Sequence, residues 1–286
     1  MEGSVGLIGT GYIGHGLADC LLNAGAVLHV YDVHPQRADD LVERGAVLEA
    51  SPRDVAAACD VVFMAVQNDR QVEEVLFGDG GGASGGCAGK VFIDTATIPP
   101  SRSREFARRL ADMDAEFLDA PLIGGHNEGQ SETMPVGGTD EAFERCRPLL
   151  ETVAKNVVYV GPPGSGEVVK LMNQTMACAQ MACRAEAIAY AEKGGVSLER
   201  ADEALANHDR AVGWLAESAK RQEAHGDPTH WTRLFLKDMN CALEAGLPML
   251  VARAVRDLNA RAMEVEPEGG WPYSFLAAAR DIMEED

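Results

Sequence analysis

The run Gly9-Thr10-Gly11-Tyr12-Ile13-Gly14 constrains this chain more than any other stretch. It comes after the apolar segment Val5-Gly6-Leu7-Ile8 and precedes the helix-forming segment Gly16-Leu17-Ala18-Asp19-Cys20-Leu21-Leu22. A G-x-G-x-x-G match alone is weak, but one lying between a strand and a helix describes a dinucleotide-binding turn. Gly9 permits the tight turn, Gly11 lets backbone approach a pyrophosphate, and Gly14 lets the helix pack close to the strand. The helix N-terminus then offers unsatisfied N–H groups and a positive dipole end to the phosphates. A plain strand–turn–helix unit that happens to need glycines would share this fingerprint.

The next segment argues against the plain unit. Ala26-Val27-Leu28-His29-Val30-Tyr31 reads as a second strand and ends in Asp32, 18 residues beyond Gly14. That is close to the spacing of about 20 expected for an acidic ribose ligand. A carboxylate there accepts hydrogen bonds from the adenosine ribose and repels a 2′-phosphate, so NAD is expected in preference to NADP. Arg37 lies nearby and pulls the other way. Asp32 also suits an N-cap for a helix beginning near Pro35; the fingerprint context favours the ribose.

Composition narrows the partners. The chain has 286 residues, 46% of them hydrophobic, and a formal net charge of −20. That length allows two domains. The negative charge repels nucleic acid, and no basic cluster offsets it. Seven cysteines, at 20, 59, 87, 146, 178, 183 and 241, form no C-x-x-C pair. They suit reduced thiols, mostly buried as small hydrophobes, in a cytoplasmic protein. His225 and His230 are five apart, off one helical face, and no metal site is expected. Met1-Glu2-Gly3 leads directly into the first strand, so no secretory leader is expected. No apolar run reaches the roughly 18 residues that a membrane span needs.

Strands and helices alternate as far as about residue 160. Strands are expected at Ser4–Ile8, Val27–Tyr31, Val61–Val66, Val91–Asp94, Glu116–Asp119, Met134–Gly137 and Val157–Val160. Helices are expected at Tyr12–Ala24, Gln36–Arg44, Pro52–Ala58, Arg70–Leu76, Pro100–Met113 and Asp140–Thr152. This alternation predicts a doubly wound, mostly parallel Rossmann sheet covered on both faces. The glycine-rich stretch 78–89 ends in Gly89-Lys90 but is no P-loop, because Ser84 replaces the first glycine and Val91 the Ser/Thr. It reads as a surface connection. Gly161-Pro162-Pro163-Gly164 punctuates the chain. Beyond it, Glu167–Lys193 contains no glycine or proline and reads as one long helix, closed by Gly194-Gly195. The remainder reads as helices at Leu198–Asn207, Gly213–Glu223, Thr232–Ala245 and Leu247–Met263. Two domains are therefore expected, 1–162 and an all-α 163–286, with the long helix joining them. That helix is apolar on more than one side, which predicts a homodimer or homotetramer.

Four segments carry a resemblance. Gly164-Ser165-Gly166-Glu167-Val168-Val169-Lys170-Leu171-Met172-Asn173-Gln174 resembles the G-x-G-x-x-x-K-x-x-N-N motif of the β-hydroxyacid dehydrogenase family. Val91 to Pro100 resembles its D-x-S-T-x-x-P loop. Asp119-Ala120-Pro121-Leu122-Ile123-Gly124-Gly125 resembles its D-A-P-V-S-G-G, and Leu236-Lys237-Asp238-Met239 its L-K-D-L. The motifs fall in the family's order along nearly the whole chain. The family includes 3-hydroxyisobutyrate dehydrogenase and tartronate semialdehyde reductase.

The resemblance implies hydride transfer between a nicotinamide and a small hydroxy acid or its semialdehyde or keto partner. Such chemistry needs one group to take the hydroxyl proton in oxidation and return it in reduction. Lys170, one turn inside the long helix and partly desolvated in a cleft, can exchange protons near neutrality. Asn173 and Gln174, at i+3 and i+4, share its face and could hold the substrate oxygen. Gly124 and Gly125 would present backbone N–H groups to a substrate carboxylate. By resemblance, Thr97 approaches the nicotinamide ribose, Val66 and Gln67 the cofactor phosphates, and Lys237 the cofactor from the helical domain. Trp214 and Trp231 are candidates for the pocket wall or for core.

Four departures from the family pattern concern the substrate side. Ile123 stands where the family has serine, Gln174 replaces the second asparagine, Ala96 replaces the serine before Thr97, and the segment from Gly125 to Gly137 is short. His126 or Asn127 could compensate for the missing hydroxyl. Ile123 leaves room for a second reading, an imine reductase-like enzyme, which Lys170 opposes. A third reading, a non-catalytic dinucleotide-binding protein, is opposed by Lys170 and Asn173.

Overall fold

A computed structural model describes residues 4–78, 86–124, 130–205, 229–244, 246, 249–265 and 273–285. Two compact units divide it, Met1–Lys170 and Leu171–Asp286. The division falls inside the long helix, whereas the sequence break lies in the Gly-Pro-Pro-Gly loop ahead of it. The reason is local: the first turns of that helix are hydrogen-bonded to the strand end at Asp119 and the segment after it.

The N-terminal unit contains one eight-stranded sheet: β1 (Ser4–Ile8), β2 (Val27–Tyr31), β3 (Val47–Leu48), β4 (Val61–Met64), β5 (Val91–Asp94), β6 (Glu116–Asp119), β7 (Ser131–Gly137) and β8 (Ala154–Gly161). Its strand order is β3-β2-β1-β4-β5-β6-β7-β8. The neighbours from β3 to β6 pair in parallel, β7 runs antiparallel to β6, and β8 runs parallel to β7. This is a Rossmann fold, and the chain reverses its direction of strand addition between β1 and β4. Ligands bind outside the carboxyl ends of the strands at such a switch point.

Both faces of the sheet are covered, and the strands show it by alternation. Leu7, Phe63, Ile93 and Leu118 enter one core with Leu17, Ala18 and Leu21 of α1 (Tyr12–Asn23) and Phe143, Leu149 and Leu150 of α6 (Asp140–Val153). Ile8, Val62, Met64, Phe92 and Phe117 enter the other. There they meet Val55 of α3 (Pro52–Ala58), Val72, Val75 and Leu76 of α4 (Asp69–Phe77), and Phe106 and Leu110 of α5 (Pro100–Ala111). Successive strand side chains point to opposite faces, so a doubly covered strand is apolar throughout.

Some local expectations shift. The expected helix Gln36–Arg44 divides into a 3-10 turn at Pro35–Ala38 and α2 (Asp39–Glu43). The expected strand Val61–Val66 stops at Met64, although Ala65 N–H still donates to Ile8 O at 2.8 Å beside the glycine fingerprint. β3 is a two-residue edge strand, too short to give a period. The low-complexity residues 79–85 lie outside the described residues.

The Leu171–Asp286 unit is helical where described. Helix α7 spans Ser165–Lys193; α8 (Leu198–Leu205), α9 (Thr229–Leu243), α10 (Leu250–Val265) and α11 (Tyr273–Glu285) come after it. Cys178, Ala182, Ala185 and Ala189 form one stripe of α7 and pack with Phe235, Met239, Val255 and Phe275. That 4-3-4 spacing is the helical period, and the small residues let neighbouring helices approach closely. Sequence reasoning missed α11, although Pro272 just before it is a helix-start signal. The expected helix Gly213–Glu223 lies outside the described residues.

Candidate functional site

The carboxyl ends of five adjacent strands carry the residues singled out in the sequence. β2 ends at Asp32, β1 at the glycine turn, β4 at Val66-Gln67, β5 at Thr95-Ala96-Thr97 and β6 at Asp119. Hydrogen bonds keep neighbouring ends in step: Gly9 N–H to Tyr31 O at 2.8 Å, Ala65 N–H to Ile8 O at 2.8 Å, Thr95 N–H to Met64 O at 3.0 Å and Ala120 N–H to Asp94 O at 2.8 Å.

The three glycines stand in three different surroundings. Gly9 has φ +94°, and a Cβ there would lie 2.6 Å from Ala65 O. A Cβ on Gly14 would lie 1.9 Å from Gly9 O, so helix and turn touch backbone to backbone. A Cβ on Gly11 would meet nothing within 4 Å, which leaves the approach to this turn open. Gly11 is the N-cap of α1 and supplies no side-chain hydrogen bond to the first turn. The arrangement fits a pyrophosphate, since the opening N–H groups of a helix need acceptors and the space beside Gly11 admits one. Tyr12 is largely exposed at the helix start, while Ile13 packs into the core. An open cleft here is lined by Thr10, Gly11, Tyr12, His15, Gly16, Asp19 and Arg37.

Asp32 is 6% exposed and ties the turn to β2. Its Oδ2 accepts from Thr10 N–H at 2.8 Å and Thr10 Oγ1–H at 3.3 Å, and its Oδ1 accepts from His34 N–H at 2.8 Å. Arg37 Nη1 stands 3.7 Å from Oδ1, on a half-exposed side chain. Asp32 is not the cap expected at Pro35, since the N-cap of that turn is His34 and carries no side-chain cap bond; its Oδ1 instead takes the His34 N–H, and its Oδ2 stands beside the glycine turn. Val66 is half-buried against Gly9, Thr97 is half-buried, and Gln67 is exposed with its N–H donating to Gln71 Oε1 at 2.8 Å.

Lys170 lies in the second turn of α7, half-buried, and its Nζ donates to Leu122 O at 2.7 Å. Leu122 immediately precedes Ile123 and Gly124. Ile123 exchanges backbone hydrogen bonds with Thr133, N–H to O at 2.9 Å and O from N–H at 3.1 Å, and its O also accepts from Ser131 Oγ–H at 3.0 Å. Gly124 is exposed with φ +85°, a conformation that favours glycine. Gly125, His126, Asn127 and Trp214 lie outside the described residues, as does the side chain of Trp231.

Asp119 belongs to one of the family-like motifs, yet its sequence neighbours suggest no role for it. It is fully buried; its Oδ1 accepts from Gly164 N–H at 2.7 Å and its Oδ2 from Glu167 N–H at 3.0 Å, the opening of α7. Burial pushes its carboxyl up from the ordinary 3.8 to about 6, against the opposing pull of the Gly164 and Glu167 N–H groups. A cap contributed from 45 residues upstream leaves no local signal in the sequence.

In the Leu171–Asp286 unit, Asn173 is half-buried on α7. Gln174 is 7% exposed and its Nε2 donates to Asp238 Oδ2 at 2.6 Å. Lys237 Nζ is 3.2 Å from Asp238 Oδ1. The Gln174 amide N–H2 is therefore engaged in fastening α7 to α9, a link that sequence reasoning did not anticipate. Six of the seven cysteines are buried; burial pushes Cys59 up to about 12 and Cys146 up to about 11, so neither is a thiolate nucleophile. Among the described residues no His/Cys/Asp/Glu cluster could hold a metal, and no helix is long and apolar enough to cross a membrane.

Comparison with known proteins agrees with this geometry. Residues 4–161 match the profile of the NAD binding domain of 6-phosphogluconate dehydrogenase. Residues 164–272 match that of the NAD-binding domain of NADP-dependent 3-hydroxyisobutyrate dehydrogenase. The 2-hydroxy-3-oxopropionate reductase of Escherichia coli is 35% identical, over 84% of this chain and 83% of its own. The L-threonate dehydrogenase of Cupriavidus necator is 34% identical, over 85% of this chain and 84% of its own. Among solved structures, a Mycobacterium tuberculosis 3-hydroxyisobutyrate dehydrogenase with L-serine shares the fold at a TM-score of 0.84, with 23% identity over 99% of both chains. An imine reductase from Bacillus cereus shares it more distantly, at a TM-score of 0.65 and 21% identity over 99% of both chains.

Proposed function

Because the chain belongs to the β-hydroxyacid dehydrogenase family, we propose that it transfers hydride between NAD and a small 3-hydroxy acid or its semialdehyde or keto partner, with Lys170 as general acid and base. Family membership itself makes the chain an NAD(P)-dependent oxidoreductase acting on hydroxy-acid CH–OH groups.

The observation that carries the reading is the 2.7 Å hydrogen bond from Lys170 Nζ to Leu122 O. It holds the amine beside Ile123-Gly124, the segment whose family counterpart takes the substrate. The dinucleotide, when bound, supplies the acceptor or donor of hydride. Gly9, Gly11 and Gly14 shape its pyrophosphate site, with Thr10, Tyr12 and Ile13 between them, and Asp32 meets its ribose. Val66, Gln67 and Thr97 lie at the strand ends, and the family resemblance adds Lys237 to the cofactor-binding residues. In oxidation the neutral Lys170 amine accepts the hydroxyl proton; in reduction the ammonium returns it. In either state an N–H stays on Leu122 O, which orients the remaining valence toward the reacting oxygen. Gly124 and Gly125 offer N–H groups to a carboxylate. Asn173 orients the substrate; Gln174 supports it through Asp238.

NAD rather than NADP is favoured by the Asp32 carboxylate, although Arg37 at 3.7 Å partly offsets its charge. Ile123 favours a substrate that does not ask for a hydroxyl at that position, and it keeps an imine reductase-like activity as the second reading. Scattered, mostly buried thiols support a cytoplasmic setting, and exposed apolar residues along α7 support a homodimer or homotetramer.

Lys170→Ala tests the reading. Turnover should fall by about a hundredfold or more while NADH binds as before. Retained turnover would remove Lys170 from the mechanism. Activity confined to cyclic imines, in a panel with hydroxy acids and semialdehydes, would establish the second reading.

A further inference from the structure

Asp119 and Leu122 sit three residues apart on one segment, and both hold α7. Asp119 takes two N–H groups of its opening, Gly164 at 2.7 Å and Glu167 at 3.0 Å; Leu122 O accepts from Lys170 Nζ at 2.7 Å. The surroundings leave the carboxylate little freedom. A Cβ on Gly137 of β7 would stand 2.6 Å from Asp119 Oδ1, and a Cβ on Gly166 of α7 would stand 2.4 Å from Asp119 O. Glycines on a strand and on a helix thus let backbone press onto this one residue. Gly164, at φ +90°, turns the chain so that its N–H faces Oδ1.

A helix opening needs only a neutral hydroxyl or amide to cap it. Here the cap is a fully buried carboxylate from a distant strand end. Burying such a group is unfavourable, and backbone N–H groups, those of Gly164 and Glu167 foremost, offset it together with the positive end of the helix. What the arrangement secures is register. A helix turns as a rigid rod, so fixing the N–H groups of Gly164 and Glu167 fixes the direction of the side chain one turn further on. Proton transfer tolerates only about 0.5 Å of misplacement.

We propose that Asp119 is a positioning residue, whose two-point grip on the first turn of α7 sets where the Lys170 amine lies. This rests on the reading of Lys170 as the acid–base group. Asp119→Asn removes one acceptor and turns an amide N–H2 toward a backbone N–H. The variant enzyme binds NADH with little change, within about threefold, but turns over at least about tenfold more slowly. The primary isotope effect with deuterated cofactor rises as chemistry becomes limiting, and the Gly164 and Glu167 amides exchange faster with solvent. In the cofactor-free protein the same two amides show the same loss of protection.

A double-mutant cycle separates positioning from general support. If Asp119 acts through Lys170, Asp119→Asn adds nothing to Lys170→Ala; multiplicative losses overturn the proposal, as does an Asp119→Asn variant with unchanged turnover. If Lys170→Ala alone keeps full turnover, it is the acid–base reading that fails, and the proposal falls with it. Should Asp119→Asn not fold, Gly137→Ala presses a methyl onto Oδ1 with the carboxylate retained. The same cycle with Lys170→Ala then supports the proposal if the losses do not multiply and overturns it if they do.

Discussion

A methyl group on Gly14 would stand 1.9 Å from the carbonyl oxygen of Gly9, whereas one on Gly11 would touch nothing within 4 Å. Two glycines of one fingerprint thus stand in opposite surroundings: the fold itself excludes a side chain at Gly14, and the pyrophosphate proposed to lie beside Gly11 would exclude one there. Gly11 has φ −68° and ψ −168°, which alanine adopts freely. Gly11→Ala should therefore melt within about 2 °C of the parent yet bind NADH at least about tenfold more weakly. Gly14→Ala should lose roughly 1–3 kcal/mol of stability or fail to fold. Thermal melts with and without NADH separate the two. Equal destabilisation would show that the space beside Gly11 is not where the pyrophosphate lies.

Asp32 joins cofactor choice to loop geometry. Removing it strands Thr10 N–H and His34 N–H, which both donate to it at 2.8 Å. It also takes from Arg37 its partner at 3.7 Å. Asp32→Ala should lower stability by roughly 1–3 kcal/mol and shift the NADH/NADPH affinity ratio toward NADPH by about tenfold or more. Titrating both cofactors on both proteins checks this. A parent that already prefers NADPH would overturn the assignment of Asp32.

The buried Asp119 makes a signed pH prediction. Its folded value is raised from 3.8 to about 6, so between those values the folded chain keeps a proton that the unfolded chain has lost. Stability from this group is complete below about 4 and declines as pH rises to about 6, by roughly 3 kcal/mol at most. Asparagine mimics the protonated form. The Tm of Asp119→Asn should therefore gain several degrees relative to the parent between about pH 4 and 7. Turnover runs the other way, because the cap needs both oxygens as acceptors: the parent should lose activity below about pH 6. Parallel melting curves across that range would contradict the assignment.

Along α7, Val168, Met172 and Met176 are exposed at four-residue intervals, with Tyr190 further on, exposed by 45%, 58%, 57% and 75%. They run on a different stripe from Cys178, Ala182, Ala185 and Ala189, which are buried. This stripe is the surface on which the proposed oligomer would form. Met172→Asp with Met176→Asp should convert an oligomer to a monomer in sedimentation, with dinucleotide binding unchanged. A parent that sediments as a monomer would end the oligomer reading.

The sequence alone determined whatever is periodic or local. β1, α1 and the glycines between them were legible because strand period, helix period and turn chemistry agree within a short window. The alternation from Ser4 to Gly161 specified a doubly covered sheet, and the long helix was visible because Glu167–Lys193 lacks any breaker. The two-residue β3, the 3-10 turn at Pro35–Ala38 and the helix Tyr273–Glu285 were not legible: the first two are too short to show a period, and the last begins after a proline that could equally have marked a loop. Lys170 was recognisable as a candidate, but not its acceptor, because Leu122 O is a backbone atom that any residue supplies. Only the tertiary structure decided that Asp119 caps α7 from a distant strand, that Gln174 is tied to Asp238, and that one carboxylate, Asp32, both closes a loop and faces the cofactor turn. Each is a contact between residues far apart in sequence. Their partners are chosen by how strands and helices pack, and packing leaves no signature in the order of residues around either one.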